Sequence, residues 1–274
     1  MSESMTVFNR RTVARHRDRA AASLEEHNFL FNETGERLCD RLDDVTRTFP
    51  TALDLGCRTG DLGRVIGKRG GIEDLFQCDL SFQMTKRTGS RAAVADEEFL
   101  PFATKCFDLI LSNLSLHWVN DLPGALMQIR RCLKPGGAFL ATMLGGETLS
   151  ELRQSLAHGE AEVDGGLSPR VSPFADVRDA GNLLQRAGFT LPVADLETIT
   201  VSYPDPFKLM NDLRGMGESN AVLDARKGFT SRRLFMEAVQ YYMQEFADAD
   251  GRIPATFQII TLTAWVEGEN NDRV

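Results

Sequence analysis

The sequence predicts an α/β fold, with a mostly parallel seven-stranded sheet, helices on both of its faces and a helical lid inserted late in the chain. Apolar strand-like runs alternate with helical patterns over residues 51–143, an order typical of parallel sheets. Residues 53–63 join an apolar strand to a helix through a glycine-bearing loop. The region 204–250, which separates the last two predicted strands, is too long for a hairpin loop.

The individual elements follow from hydrophobic periodicity and turn signals. Leu38, Leu42 and Val45 share one helical face ahead of the first strand. A second helical stripe covers residues 122–133 and ends at the Lys-Pro-Gly-Gly turn 134–137. Later helices are expected at about 174–187, 206–214 and 231–247, and strands at about 51–56, 74–79, 91–95, 106–112, 137–143, 193–203 and 256–266.

These elements divide the chain of 274 residues into three parts. We expect residues 1–203 to form a core with N-terminal helices and residues 204–250 to form the lid. Residues 251–274 are expected to hold the final strand and a frayed tail. A chain of this length can bury one substantial core with a large insertion.

The composition, with 42% hydrophobic and 26% charged residues, is ordinary for a globular chain. The net charge of −8 gives no general attraction to phosphate backbones, so no nucleic-acid partner is expected. No apolar run approaches the roughly 18 residues that span a membrane, so no transmembrane segment is expected. The five cysteines form no Cys-x-x-Cys pair and are predicted to be buried, reduced thiols.

The triplet 158–160 reads His-Gly-Glu, which is the spacing of two ligands of a non-haem iron site. Such a site also needs a third ligand, usually a distant histidine, and none is evident among the four histidines of the chain. We therefore predict no metal site.

The loop after the first predicted strand has the residues of a nucleoside-binding site. Gly56 and Gly60 let the backbone approach a ligand, and the following helix presents free N–H groups. Asp79 ends the next apolar segment, where a carboxylate can accept two ribose hydroxyls or cap a helix. A dinucleotide fingerprint would need a glycine in place of Arg58. Asp54 is expected to orient the loop by accepting backbone N–H groups.

The order of these motifs resembles the S-adenosylmethionine (SAM) site of class I methyltransferases. Residues 79–84 are similar to the family's ribose-binding turn, and residues 95–102 to its adenine-binding loop, in which Asp96 would meet the adenine amino group or start a turn. Arg58 departs from the family, and we expect it to pair with the cofactor's carboxylate, the alternative being that it crowds the loop. The predicted cofactor ligands are Asp54, Gly56, Arg58, Gly60, Asp79, Leu80, Asp96, Glu97 and Asn113.

The exit of the fourth predicted strand, residues 112–118, argues against one substrate class. Enzymes that methylate base or amide nitrogens usually carry an Asn/Asp-Pro-Pro-aromatic run there, and this stretch has no proline. His117 is a candidate general base or a structural histidine packed beside Trp118. Trp118 is expected to floor a substrate pocket or to cover apolar surface.

From Phe8 to Val266 the chain resembles the methyltransferase-like assembly factors of respiratory complex I. This resemblance implies a SAM-binding enzyme that hydroxylates an arginine on an iron–sulfur subunit during complex I assembly. A weaker resemblance, to the biotin-pathway enzyme that methylates malonyl-acyl-carrier protein, implies carboxylate O-methylation. The segments that carry the first resemblance are 95–102, 114–123, 145–153, 165–174, 215–220 and 254–259.

The residues alone leave the reaction open. The fold favours methyl transfer, in which proximity and orientation dominate, and a SAM-binding assembly factor without catalysis is a further alternative. A positive charge in the lid pocket would favour a carboxylate substrate, whereas acids such as Glu151 and Glu218 would favour arginine. The predicted catalytic residues are His117 and Tyr203, and the predicted substrate-binding residues are Trp118, Glu218 and Asn220.

The N-terminus is rich in arginine over residues 10–19 and so mimics a mitochondrial presequence. Because the family resemblance already begins at Phe8, too few residues precede it for a presequence. We expect a cytoplasmic bacterial protein that acts on a protein substrate, either a complex I subunit or an acyl carrier protein. The arginines are expected to form a solvated helix face or to meet an acidic partner or lipid, which would make the protein membrane-peripheral.

Overall fold

The computed structural model of the chain describes residues 6–89, 91–226, 228 and 230–268. Residues 269–274, which hold most of the predicted tail, lie outside these ranges. The strands are β1 (Thr51–Leu55), β2 (Asp74–Asp79), β3 (Ala92–Val94), β4 (Phe107–Asn113), β5 (Leu133–Leu144), β6 (Thr190–Tyr203) and β7 (Ile253–Trp265). The helices are α1 (Arg10–Ala20), α2 (Phe29–Asp43), α3 (Asp61–Ile66), α4 (Phe82–Thr85), α5 (Leu122–Cys132), α6 (Ser150–Asp164), α7 (Val177–Arg186), α8 (Pro206–Gly215) and α9 (Arg232–Phe246).

The strands form one seven-stranded sheet in the order β3-β2-β1-β4-β5-β7-β6. Strands β1 to β5 are parallel, and β7 pairs antiparallel with both β5 and β6. The predicted mostly parallel seven-stranded sheet is therefore confirmed. Because the chain returns from β3 to place β4 beside β1, the strand order reverses between β1 and β4. In open α/β sheets, ligands bind at the carboxyl ends of the strands at such a reversal.

Strand β4 is buried on both faces, which accounts for its continuous apolar run. Leu109 and Leu111 point to the side covered by α2 and α3, in a cluster with Leu38. Ile110 points to the opposite side, where α5 and α7 cover the sheet through residues such as Ile129. This alternation is the period of two expected for a strand.

Strand β5 begins earlier than predicted. Leu133 already pairs with Phe107 on β4, and a register shift between Phe107 and Leu109 accommodates the turn at 134–137. Gly136 has a φ of +73° in this turn, a left-handed conformation that glycine adopts at little cost.

The segment 204–250 between β6 and β7 carries α8 and α9, and α9 packs against α6. The two helices approach so closely that a Cβ on Gly159 would lie 2.7 Å from the carbonyl oxygen of Leu234. His158 stacks on Tyr241, with ring centroids 4.1 Å apart. Helix α6, which the sequence analysis did not predict, therefore belongs to this layer, and the division of the chain at 203 and 250 stays a prediction. Among the described residues, no helix is both long and apolar enough to cross a membrane.

Candidate functional site

The loop between β1 and α3 has a left-handed backbone at three positions. Gly56 has a φ of +75° and Gly60 a φ of +85°. A Cβ on Gly56 would lie 2.1 Å from Ser115 Oγ, so only glycine fits there. Arg58 has a φ of +52°, which is uncommon for a residue other than glycine and costs backbone energy.

Carboxylates from the next two strand ends converge on this loop. Asp79 ends β2 and accepts the backbone N–H of Arg58 at 3.1 Å and that of Ser81 at 2.8 Å. Glu97 follows β3 and accepts the hydroxyl of Ser115 at 2.6 Å. The structure thus brings together the predicted loop and the predicted acids at the carboxyl ends of β1, β2 and β3, the position at which ligands bind in open α/β sheets.

Helix α1 lies over these acids and pairs with each of them. The guanidinium of Arg17, which is 0% exposed, lies 3.1 Å from Asp79 Oδ2 and 3.1 Å from Glu97 Oε1. Arg10 pairs with Asp96 at 2.7 Å and also with Glu97. Burial alone would raise the pKa of Glu97, but Arg10 and Arg17 hold that pKa well below its ordinary value, so the acid is ionised.

This arrangement differs from the solvated face, acidic partner or lipid expected for the N-terminal arginines, because the acids that meet Arg10 and Arg17 belong to the same chain. One signal was available: the two arginines are two helical turns apart and therefore share a face. Arg11, Arg15 and Arg19 are exposed.

The side chain of Arg58 crosses from the loop to the lid segment. Its Nη2 lies 2.6 Å from Glu218 Oε1 and donates to the carbonyl of Leu114 at 2.7 Å. Its guanidinium also stacks over the ring of Phe31, 3.8 Å from the centroid. Glu218 is thus the partner of Arg58, and the predicted pairing with the cofactor's carboxylate stays a prediction that must compete with this ion pair.

The second oxygen of Glu218 binds two residues of the β4 exit. His117 Nε2 lies 3.0 Å from Oε2, and Trp118 Nε1 donates to it at 2.8 Å. Although burial raises the pKa of Glu218, Arg58 and His117 lower it to about 2, so the carboxylate is ionised. Burial in turn lowers the pKa of His117, and Glu218 only partly offsets that effect.

A neutral His117 therefore carries its proton on Nε2, where Glu218 accepts it, and a lone pair on Nδ1. Nδ1 is buried and has no hydrogen-bond partner among the described residues. A neutral imidazole oriented by a carboxylate, with an unpaired nitrogen, has the chemistry of a general base.

Two predicted cofactor ligands have other roles. Asn113 Oδ1 accepts from Thr34 at 2.8 Å and Thr142 at 2.6 Å, and its Nδ2 donates to the carbonyl of Phe31 at 2.8 Å. Asn113 thus joins β4 to α2 and β5, and its predicted cofactor contact stays a prediction that must compete with these bonds.

Asp54 does not orient the loop through backbone N–H groups as predicted. Its carboxylate accepts the side-chain amide of Gln77 at 3.1 Å. The N–H groups of Gly56 and Cys57 instead donate to the carbonyl of Cys78, at 2.8 and 2.9 Å. The end of β2 therefore holds the loop.

Four further predicted residues lie in packed surroundings. Trp118 is covered edge-on by Phe8, 5.3 Å between centroids, so it covers apolar surface, and its place in a substrate pocket stays a prediction. Leu80 packs against the same cluster. Tyr203 is buried in an apolar cluster at the end of β6, and its catalytic role stays a prediction. Glu151, expected to favour an arginine substrate, instead bonds the hydroxyl of Thr256.

A cavity of about 270 Å³ lies between α6, α8 and residues 170–174. Glu218 and Asn220, both predicted to bind substrate, line it together with the arginines Arg170 and Arg214. Asn220 uses its amide to donate to the carbonyl of Pro169 at 2.7 Å. The apolar lining consists of Leu149, Leu152, Leu156, Val171, Phe174, Met210 and Leu213.

Among the described residues, no group of three or more His, Cys, Asp or Glu side chains is arranged to hold a metal ion. Glu160 of the His-Gly-Glu triplet is engaged by Arg170, at 2.9 Å, and by Ser168. The triplet thus contributes to the packing around the cavity.

Comparison with known proteins places this geometry in a family. The profile described as "Methyltransferase domain" matches residues 53–141. The mitochondrial arginine-hydroxylase NDUFAF5 of Danio rerio is 43% identical over 270 residues, which are 96% of this chain and 84% of that protein. The chain belongs to this arginine-hydroxylase family of the methyltransferase superfamily. The predicted family is therefore confirmed.

More distant relatives share the fold. The malonyl-[acyl-carrier protein] O-methyltransferase of Methylovorus sp. is 33% identical, over 97% of this chain and 92% of that protein. The solved structure of Haemonchus contortus phosphoethanolamine N-methyltransferase 2 in complex with SAM has a TM-score of 0.53 and 18% identity, covering 91% of this chain and 57% of that one. At that identity the structural likeness shows the fold alone, while the domain match supports SAM as the cofactor.

The residues present fit a nucleoside-bearing cofactor in kind and position. The glycine loop leaves no room for a Cβ at Gly56, and Asp79 lies at the end of the adjacent strand. The same acids are engaged by Arg10 and Arg17, so these ion pairs must open before a ribose can reach Asp79.

Proposed function

We propose that the chain binds SAM where β1, β2 and β4 end and modifies a protein substrate, hydroxylating an arginine as its family name implies. The observation that carries the proposal is the 43% identity to an arginine-hydroxylase along 96% of this chain, which includes the lid segments. In the site, the backbone of Gly56 and Gly60 would approach the cofactor closely. Asp79 would bind its ribose and Asp96 its adenine. SAM supplies an electrophilic methyl group when bound. Hydroxylation needs an oxidant as co-reactant in addition, such as molecular oxygen with a two-electron reductant, which leaves the second oxygen atom as water.

The substrate is proposed to enter the cavity that Glu218 and Asn220 line. His117 Nδ1 would accept a proton from a substrate group that reaches it, while Glu218 keeps the imidazole in the required tautomer. For Glu218 to grip a guanidinium as well, the substrate arginine would have to replace Arg58 on Oε1.

One observation favours a second candidate, O-methylation of a carboxylate on a carrier protein. The charge of Glu218 is already matched by Arg58 and that of Arg170 by Glu160, whereas Arg214 also lines the cavity. Arg214 is exposed, so its cation is available to a carboxylate that enters from solvent.

Intact-mass analysis of candidate substrates after incubation with the protein and SAM separates these reactions. A gain of one oxygen supports arginine hydroxylation, and a gain of one methylene supports O-methylation. Bound SAM with no mass change on either a complex I subunit or an acyl carrier protein would indicate a non-catalytic assembly factor.

The role of Glu218 has its own test. Glu218→Gln, which keeps the size and removes the charge, should weaken binding of an arginine-bearing peptide while SAM affinity is kept. Glu147→Gln removes an exposed carboxylate and is the matched control. Equal peptide affinity for both variants would remove Glu218 from the substrate site.

We also propose a cytoplasmic protein that contacts membranes peripherally. Arg11, Arg15 and Arg19 are exposed on α1 and would meet anionic lipid. Cosedimentation with anionic vesicles, but not with zwitterionic ones, would support this contact, and no difference between the two would contradict it.

A further inference from the structure

We infer that Arg10 and Arg17 form a plug of the cofactor site, so that SAM binds only when α1 withdraws these two side chains. The inference rests on the proposed SAM binding and adds two residues that determine cofactor affinity.

The carboxylate of Asp79 already accepts three hydrogen bonds. Its Oδ1 accepts the N–H of Ser81, and its Oδ2 accepts both the N–H of Arg58 and Nη1 of Arg17. Because Arg17 is the only one of these donors that comes from outside the loop and the strand end, it holds the place where a ribose hydroxyl would donate.

Both carboxylate oxygens of Glu97 also accept hydrogen bonds from other side chains. Its Oε1 accepts from Ser115 and from Arg17 at 3.1 Å, and its Oε2 accepts from Arg10. Arg17 Nη2 also donates to Ser115 Oγ at 2.9 Å, so one guanidinium spans the space between the ends of β2 and β4. With Arg17 and both acids 0% exposed, no solvent separates these groups.

The two arginines would leave together. They lie two turns apart on α1, so one rotation of the helix removes both. The helix ends at Ala20, and residues 21–23 form a turn that can act as the hinge. Phe8 packs on Trp118, and Asn120 Oδ1 accepts the N–H groups of Val7 and Phe8, so withdrawal also uncovers the indole.

Outside the plug, α1 is held down by the buried apolar side chains of Val13 and Ala20 and by polar contacts. Asp18 accepts the Ser81 hydroxyl and the Gln83 N–H. Without the plug, a larger fraction of molecules has the open site, and the apparent affinity for SAM rises in proportion to that fraction.

Calorimetric titration of SAM into the wild type, Arg17→Ala and Arg11→Ala tests the inference. Arg11 is exposed on the same helix and is the matched control. We expect Arg17→Ala to bind SAM about tenfold more tightly than the wild type, since the competent fraction increases, and Arg11→Ala to match the wild type. Circular dichroism verifies that each variant is folded.

Hydrogen exchange of the wild type with and without SAM keeps the inference testable if Arg17→Ala does not fold. The amides of α1 should exchange faster with SAM, while those of the loop 56–60 exchange more slowly. The plug would be overturned if Arg17→Ala bound SAM no more tightly than the wild type does. It would also be overturned if SAM left the exchange of the α1 amides unchanged. Either result would leave the proposed SAM binding intact. Absence of SAM binding by every chain would instead overturn the proposed function, and the plug with it.

Discussion

Glu218 and Arg58 form an almost fully buried ion pair, 2.6 Å between Oε1 and Nη2, that joins the lid segment to the cofactor loop. Arg58 adopts a left-handed backbone that glycine would adopt at lower cost. The ion pair, the bond to the Leu114 carbonyl and the stacking on Phe31 offset that cost.

Arg58→Gly should therefore destabilise the fold, although it relieves the backbone. Breaking one side of a buried ion pair costs about 3–5 kcal/mol, because the remaining charge is unpaired. The double variant Arg58→Gly/Glu218→Gln should lose less than the sum of the two single variants in urea unfolding. Additive losses would show that the two side chains are not coupled. SAM affinity of Arg58→Gly should not exceed that of the wild type.

Asp79→Ala should weaken SAM binding about ten- to a hundredfold, because the variant loses a charged hydrogen bond worth roughly 1.5–3 kcal/mol. Calorimetry measures the change. Asp74→Ala, at the start of the same strand and half exposed, is the control and should bind SAM as the wild type does. Unchanged affinity in Asp79→Ala would rule out Asp79 as the ribose ligand.

Gly56→Ala should destabilise the protein and disturb Glu97. The new Cβ would lie 2.1 Å from Ser115 Oγ, which holds Glu97, and the left-handed backbone alone costs an alanine roughly 1–2 kcal/mol. Gly146→Ala is the control, because its Cβ would meet nothing within 4 Å. Urea unfolding that gives the same free energy for both variants would contradict the close approach at Gly56.

Asp54→Asn should stabilise the protein increasingly as the pH rises from about 4 to about 7. Burial raises the pKa of Asp54 from 3.8 to about 7, outweighing the bond from Gln77. Between these values the folded chain binds a proton that the unfolded chain has lost, so the free energy of unfolding falls as pH rises through this window. Asparagine does not ionise, so the variant does not lose this free energy of unfolding as the pH rises. Its Tm should match the wild type near pH 4 and exceed it near pH 8, whereas an equal offset at both would exclude the raised pKa.

The sheet could be predicted from the sequence because its signals are local: apolar runs, a glycine loop and turn residues. Gly56, Gly60 and Asp79 were placed correctly relative to one another since strand ends fix their positions. Arg17 was not found, because its contact with Asp79 joins residues far apart in sequence. Only the packing of α1 on the site creates that contact.

Asn113 shows a signal that was present and not used. Side chains alternate along β4, so Asn113 shares a face with Leu109 and Leu111, the face that α2 covers. Counting the period of two from these leucines predicts a side chain in the helix interface, where Asn113 bonds Thr34.

The closing pair of the β6–β7 hairpin has a consequence for how such proteins diversify. Tyr203 on β6 and Ile253 on β7 are direct partners, so the two ends of segment 204–250 emerge side by side from a finished sheet edge. A segment of another length needs only to connect the same two neighbouring strand ends. The entropic cost of closing such a loop grows slowly with its length. The segment that carries α8, whose residues line part of the cavity, can therefore differ in length and sequence between related proteins without altering the strands that fold the core.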